Sequence, residues 1–387
     1  MDDLALTVWM TALRHQIHAQ PELALHEVKT TALIKKTLTD LGIRLVDYPG
    51  ATGVVAEIGH GEPKVALRAD IDALPLQEKS GLSFASKIDG RMHACGHDFH
   101  TAALLGGARI LKAHEAELPG TVRLIFQPGE EGHVGAKEML SHDVLHGVQA
   151  IAGFHNMPEL PVGTLAVKSG ALMASNDNFD VQINGTGAHA AMPERSADPI
   201  VTLGQLITAL QTIRSRNIAP DAALVLTIGE IRAGHTFNVI PDTASFKGTI
   251  RTFNAANRQL AKARFYEIVQ ATVKAYQQTV AIKWDQGPSC VNNDATLTDL
   301  ITAACQATFK IVPAHPSNAD DDFALYQEQI PGFYGFLGSG GTGTLHQPNY
   351  SCSDAGLIYG ARFHWLAAQT LLAAVTKNKL LATDRAS

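Results

Sequence analysis

Lys64-Val65-Ala66-Leu67-Arg68-Ala69-Asp70-Ile71-Asp72-Ala73-Leu74-Pro75 is the stretch on which the fold turns. Residues 64–69 read as a strand that runs straight into two aspartates and a proline. Upstream, 53–58 reads as a second strand, and 4–41 as helix interrupted near Pro21. Downstream, 101–114 is apolar at most positions and ends in charge, which predicts a largely buried helix. Then follow a short strand over 121–126 closed by Gln127-Pro128-Gly129, a helix over 134–141 and a strand over 150–155 ending on His155. Strands alternating with helices imply an α/β domain with a mostly parallel sheet and helices on both faces. Ligands of such sheets collect at the carboxyl ends of the strands. Asp70, Asp72, Glu130, Glu131 and His155 all fall at or just after such ends.

A different rhythm begins near Asn178. Residues 179–185 alternate as a strand, 198–214 form a helix started by Asp198 and Pro199, and 223–232 and 245–253 are strands. A long amphipathic helix over 254–278 and a strand over 280–284 complete the order β-α-β-β-α-β, that of a ferredoxin-like unit. The expected organisation is therefore a first domain in two parts, 1–178 and 292–387, with a second domain, 179–291, inserted between them. Residues 355–375 read as a closing helix, with Arg362, His364 and Gln369 interrupting its apolar run.

A chain of 387 residues exceeds the size at which one core usually stops growing, consistent with two domains. Its net charge of −6 argues against a surface for nucleic acid. No stretch reaches the roughly 18 unbroken apolar residues of a membrane span. The acidic start Met1-Asp2-Asp3-Leu4 lacks the basic and apolar regions of a signal peptide. Cys95, Cys290, Cys305 and Cys352 have no disulfide-like spacing, so a reducing, cytoplasmic location is expected.

Chemistry concentrates in His93-Ala94-Cys95-Gly96-His97-Asp98-Phe99-His100: three imidazoles, a thiol and a carboxylate within eight residues. Cys95 and His97 are two apart, so on an extended segment both would point to one face and suit a zinc-like ion. In Gln127-Pro128-Gly129-Glu130-Glu131-Gly132, two adjacent carboxylates point in opposite directions, so one can ligate while the other moves protons. His155, taken singly, reads as a core or loop residue more readily than as a ligand, and His346 is similarly ambiguous by itself. Together Cys95, His97, Glu131, His155 and His346 supply five donors, too many for one tetrahedral ion. Five donors and a bridging water suit two ions, an arrangement used for hydrolysis.

Seven stretches carry a wider resemblance: 14–22 (RHQIHAQPE), 67–76 (LRADIDALPL), 92–100 (MHACGHDFH), 126–132 (FQPGEEG), 185–193 (GTGAHAAMP), 237–241 (FNVIP) and 248–252 (GTIRT). With these in order over nearly its full length, the chain resembles the amidohydrolase branch of the aminoacylase/carboxypeptidase metallopeptidase family. The resemblance implies a catalytic domain binding two divalent ions (zinc, manganese, cobalt or nickel) and an inserted lid through which a homodimer forms. It implies Cys95, His97, Glu131, His155 and His346 as metal ligands, Glu130 as general base and acid, and Asp72 as a carboxylate orienting a ligand imidazole. In the lid it implies His189 as an oxyanion stabiliser, with Asn238 and Arg251 near the substrate and Arg251 suited to bind a carboxylate bidentately. The implied reaction is hydrolysis of the amide of an N-acyl amino acid, with no nucleic-acid or membrane partner.

Two departures bear on substrate preference. Asp321 stands where relatives carry a glutamate, in Asp320-Asp321-Asp322-Phe323. The segment Asn349-Tyr350-Ser351-Cys352-Ser353-Asp354 replaces an acidic, aromatic one. Gly338-Ser339-Gly340-Gly341-Thr342-Gly343 matches a dinucleotide-binding spacing, but His346 and Pro348 follow too soon for a helix to begin. It reads instead as a flexible backbone loop near the metal site. The alternatives are a dipeptidase or carboxypeptidase of the same family and a catalytically silent amino-acid-binding protein.

Overall fold

A computed structural model describes residues 2–377. The chain opens with helices α1 (Asp3–His18) and α2 (Val28–Asp40), then strands β1 (Arg44–Leu45), β2 (Val54–Gly59) and β3 (Lys64–Asp70). Helix α3 (His97–Ala113), β4 (Thr121–Gln127), α4 (Gly135–Ser141), β5 (Val148–Met157) and β6 (Thr164–Val167) follow. Next come β7 (Ser175–Asn184), α5 (Pro199–Thr212), β8 (Leu224–Ala233), β9 (Thr243–Thr252), α6 (Ala255–Ala275) and β10 (Thr279–Gln286). The chain closes with α7 (Ala295–Cys305), β11 (Lys310–Pro313), α8 (Ala324–Gln327), β12 (Gly332–Gly338) and α9 (Leu357–Thr376).

Two compact units result. One takes the chain up to Leu172, Asn292–His315 and the residues from Asp322 on; the other takes Met173–Val291 and Pro316–Asp321. Pro316–Asp321 groups with the second unit because Ala174 N–H donates to the carbonyls of Ser317 and Ala319, and Asn176 Nδ2 lies 3.2 Å from Asp320 Oδ2.

In the first unit the sheet order is β1-β2-β4-β3-β5-β12-β6-β11, with the four central strands β4, β3, β5 and β12 parallel. Strand alternation sorts the two faces. Val122, Leu124 and Phe126 of β4 join one core with residues of α1, α3 and α9. Arg123 and Gln127 point the other way, to the Val144 carbonyl and to Asp322. All seven residues of β4 are buried, as are six of the seven of β3, so both faces are covered and charged side chains there need buried partners.

In the second unit the sheet order is β8-β9-β7-β10, antiparallel throughout. Phe179, Val181 and Ile183, alternate residues of β7, pack on Leu206 and Leu210 of α5 and on Phe265 and Val269 of α6. The Asp198 side chain caps α5 by accepting from Ile200 N–H at 2.8 Å. This is the ferredoxin-like unit the sequence rhythm predicts.

Two local expectations are corrected. Helix α3 begins at His97 rather than at Thr101, because Gly96 adopts φ +85° and turns the chain there. The Cys95–His97 segment is therefore not extended. A Cβ on Gly96 would lie 2.2 Å from Asn156 Nδ2 and 2.4 Å from the Tyr350 hydroxyl, so only glycine fits. The glycine run near 340 is not an open loop: Gly338 ends β12, and Gly341–Thr342 pairs antiparallel with Ser351–Cys352. A Cβ on Gly341 would lie 2.0 Å from the Ser351 carbonyl. Among the described residues no helix is long and apolar enough to cross a membrane.

Candidate metal centre

The carboxyl ends of β3, β4 and β5 and the start of α3 bring the sequence-predicted donors of the first unit together. Cys95 Sγ lies 3.3 Å from His155 Nε2 and 3.2 Å from His346 Nε2. Glu131 Oε1 lies 3.4 Å from His346 Nε2 and 3.9 Å from His97 Nε2. The donor atoms of Cys95, His97 and His155 lie within 4.8 Å of one another, and so do those of Cys95, Glu131 and His346. The thiol belongs to both groups. His346 takes a left-handed backbone, φ +62°, with its N–H donating to the Ala94 carbonyl at 2.9 Å. Such a conformation is costly for a residue with a Cβ and is retained where neighbouring structure enforces it.

Buried partners aim each donor. Asp72 Oδ1 accepts from His97 Nδ1 at 3.1 Å, and its Oδ2 accepts from the backbone N–H of Glu131 at 3.0 Å. One carboxylate thus fixes both an imidazole ring and the turn bearing the two glutamates. His155 Nδ1 donates to the Asn156 carbonyl at 2.8 Å, which leaves its Nε2 toward Cys95. Glu130 is buried, and its Oε1 faces the backbone N–H of Asp322 at 3.4 Å. Glu27 holds the turn from the other side by accepting from Gly129 N–H at 2.8 Å.

Burial pushes the Cys95 thiol well above its ordinary value, and the charges of Glu131, Glu130 and Asp70 push it further. Burial alone would lower His97, but Asp70, Asp72 and Glu131 hold it up at about 10. Among the described residues, His97 Nε2 and Glu131 Oε1 are both buried without a hydrogen-bonding partner, an expensive condition. A thiol that needs a nearby cation to ionise, and an orphaned imidazole nitrogen beside an orphaned carboxylate oxygen, fit a divalent cation. The donor set is soft and nitrogen-rich, as zinc-like ions require.

The third histidine of the run is engaged differently. His100 Nδ1 donates to Asp70 Oδ1 at 2.6 Å, and its Nε2 accepts from Asn156 N–H at 2.9 Å. Asp98 turns away to Arg14 Nε at 3.0 Å and His18 Nδ1 at 2.9 Å. Sequence reasoning missed Arg14, His18, Arg68, Asn156 and Asp322 as parts of this centre. Arg68 carried a usable signal, a cation in a run that is otherwise apolar from Val65 to Ala69, which demands a buried anion. Asn156 and Asp322 carried none locally.

The remaining candidates lie in the second unit. His189 is exposed on a two-residue ladder with Val239, and its Nδ1 accepts from Ala191 N–H at 3.1 Å. A neutral His189 therefore carries its proton on Nε2. Asn238 is exposed; its carbonyl accepts from Ala190 N–H at 3.1 Å, and its side chain accepts from Thr236 Oγ1 at 3.0 Å. Arg251 Nη1 contacts Asn176 and Thr249, and its Nη2 lies 3.6 Å from Asp320 Oδ1. Burial lowers the Arg251 guanidinium somewhat, against the pull of Asp320 and Asp177.

Residues 66–370 match the model of peptidase family M20/M25/M40. The chain is 44% identical to the N-acetyl-L-cysteine deacetylase of Bacillus subtilis (strain 168), over 96% of this chain and 90% of that one. It is 36% identical to the hippurate hydrolase of Campylobacter jejuni, over 91% of this chain and 94% of that one. Among solved structures, the Bacillus subtilis YXEP protein, described as a dinuclear metal-binding peptidase of the M20 family, superposes with a TM-score of 0.86 at 41% identity. That match covers 95% of this chain and 99% of the other.

Proposed function

The chain belongs to peptidase family M20/M25/M40, and from that premise we propose that it is a metal-dependent hydrolase of N-acyl amino acids. The observation that carries the reading is the convergence of donor atoms from Cys95, His97, Glu131, His155 and His346, with the buried acid Glu130 beside them. The five would hold two divalent ions, with Cys95 shared between them. Zinc suits the thiolate best, and manganese, cobalt or nickel are the other candidates. When bound, such ions polarise an acyl carbonyl and make water nucleophilic near neutral pH.

The protein's own groups do the rest. Glu130 takes the proton from the attacking water and delivers it to the leaving amino nitrogen. Asp72 keeps His97 and the Glu130-Glu131 turn in register. His189, as an Nε2–H donor, is suited to stabilise the oxyanion. Arg251, with Asn238, would bind the amino-acid part, the guanidinium taking its carboxylate. The first unit then acts as the catalytic domain and the second as a lid, through which the protein would form a homodimer. The names of the relatives support an acyl group of acetyl or benzoyl size, as in N-acetylcysteine and hippurate.

The test is a metal-reconstituted panel of N-acetyl amino acids, hippurate and dipeptides, run with wild type and Glu130→Gln. The acyl amino acids should be cleaved, and Glu130→Gln should lower kcat by about 10²–10⁴-fold while metal uptake persists. A variant that stays nearly as active with metal bound removes Glu130 as the base, and turnover of dipeptides alone replaces the substrate class.

A further inference from the structure

Five side chains of the first unit form one hydrogen-bonded chain that the proposed reaction does not use. Asp322 Oδ1 accepts from Arg68 Nη2 at 2.9 Å and from Gln127 Nε2 at 2.7 Å. Arg68 Nη1 donates to Asp70 Oδ2 at 2.6 Å, and Asp70 Oδ1 accepts from His100 Nδ1 at 2.6 Å. His100 Nε2 faces both the backbone N–H of Asn156, at 2.9 Å, and its Nδ2, at 3.0 Å. Asn156 Nδ2 also donates to the Cys95 carbonyl at 2.7 Å, while Asn156 Oδ1 accepts from the Tyr350 hydroxyl at 2.7 Å. None of the five is more than 2% exposed.

The ends of this chain touch the two halves of the centre. At one end the backbone N–H of Asp322 faces Glu130. At the other, Asn156 follows His155 in β5 and grips the carbonyl of Cys95. The middle has a fixed polarity. A backbone N–H can only donate, so His100 Nε2 must be unprotonated, and the one ring proton sits on Nδ1 toward Asp70. Stability alone does not call for such a chain, since buried ionic groups can often be replaced by apolar ones at no loss.

We infer that Arg68, Asp70, His100, Asn156 and Asp322 are positioning residues that hold Cys95 and His155 in register with Glu130, with His100 as the neutral Nδ1–H link and not a metal ligand. This rests on the reading of the five donors as a metal centre.

The test combines histidine ¹⁵N spectra with zinc affinity measured by chelator competition, on wild type, His100→Asn and the milder Tyr350→Phe. His100 should show a protonated Nδ1 and an unprotonated Nε2, a pattern that zinc leaves unchanged, while His97, His155 and His346 take up the metal. His100→Asn should bind zinc about 10–100-fold more weakly and lose kcat rather than gain KM. Tyr350→Phe, which removes the hydroxyl that donates to Asn156 Oδ1, should weaken zinc about three- to tenfold with a smaller loss of Tm than His100→Asn. A His100 Nε2 that takes up the metal, or that carries the ring proton in place of Nδ1, overturns the inference. So do two variants that bind zinc as the wild type does. A wild type that takes up no zinc instead contradicts the metal reading, and the His100 tautomer still reports on the chain.

Discussion

Asp70 and Asp72 leave the same strand end, and His97 and His100 leave one face of the first turn of α3. Each aspartate accepts from the Nδ1 of one of these histidines, at 2.6 Å for Asp70–His100 and 3.1 Å for Asp72–His97. The far nitrogens part company. His100 Nε2 is closed off by Asn156, whereas His97 Nε2 is buried, without a hydrogen-bonding partner among the described residues, and 3.9 Å from Glu131. An aspartate behind a histidine therefore does not make a ligand. What distinguishes the two is whether the other nitrogen has been given a protein donor.

Substitutions at the two pairs should separate them. His97→Ala should have the largest effect, weakening metal binding well beyond the roughly 10–100-fold expected for loss of an outer partner. Zinc uptake measured by chelator competition checks it, and a variant that still binds two ions with near-native affinity breaks the comparison.

Next in size is a third pair in the same turn, Asp98 with His18, which is an ion pair. Burial alone would lower His18, but Asp98 and Glu78 hold it at about 9, above its ordinary 6.5. The folded state thus binds this proton more tightly. Its contribution is complete below pH 6.5 and disappears as the pH rises through 9. His18→Gln should cost about 3 kcal/mol in urea denaturation on the acid side and little on the alkaline side. A cost independent of pH contradicts the ion pair.

Asp72→Ala should weaken zinc about 10–100-fold by releasing His97 and the Glu131 backbone together. The effect should show in affinity and kcat with KM little changed.

The smallest effect concerns Glu27, which burial raises to about 7 from 4.5. Because the folded value is the higher, stability should decline as pH rises from 4.5 through 7. Glu27→Gln, which keeps an acceptor for Gly129, should be nearly neutral in acid and stabilising by about 1 kcal/mol in mild alkali. Thermal unfolding at the two pH values reads this, and a loss at both would contradict it.

The ends of β3 and β4 were legible because apolar runs stop at Asp70 and Gln127, whereas β5 runs two residues past His155 to Met157. The ferredoxin-like order was legible from β7 to β10 because each strand alternates and α6 repeats its buried residues every four positions. The start of α3 was not, since a glycine amid polar residues looks like a loop until its φ is known. The residues around the two histidines do not say which is closed; only the family resemblance points to His97 as the ligand. His97 and His100 carry the same local signals, and the residue that tells them apart, Asn156, lies 56 positions from His100. The neighbours of Arg251 were not legible: its guanidinium meets Asn176, Thr249 and Asp320, the last on a segment distant in sequence.

The most direct test is a zinc-loaded crystal examined by anomalous diffraction at the zinc edge. The account predicts two peaks a few ångström apart, both within bonding distance of Cys95, the others shared among His97, Glu131, His155 and His346, and His100 bound to neither. A single peak, or one coordinated by His100, would contradict it.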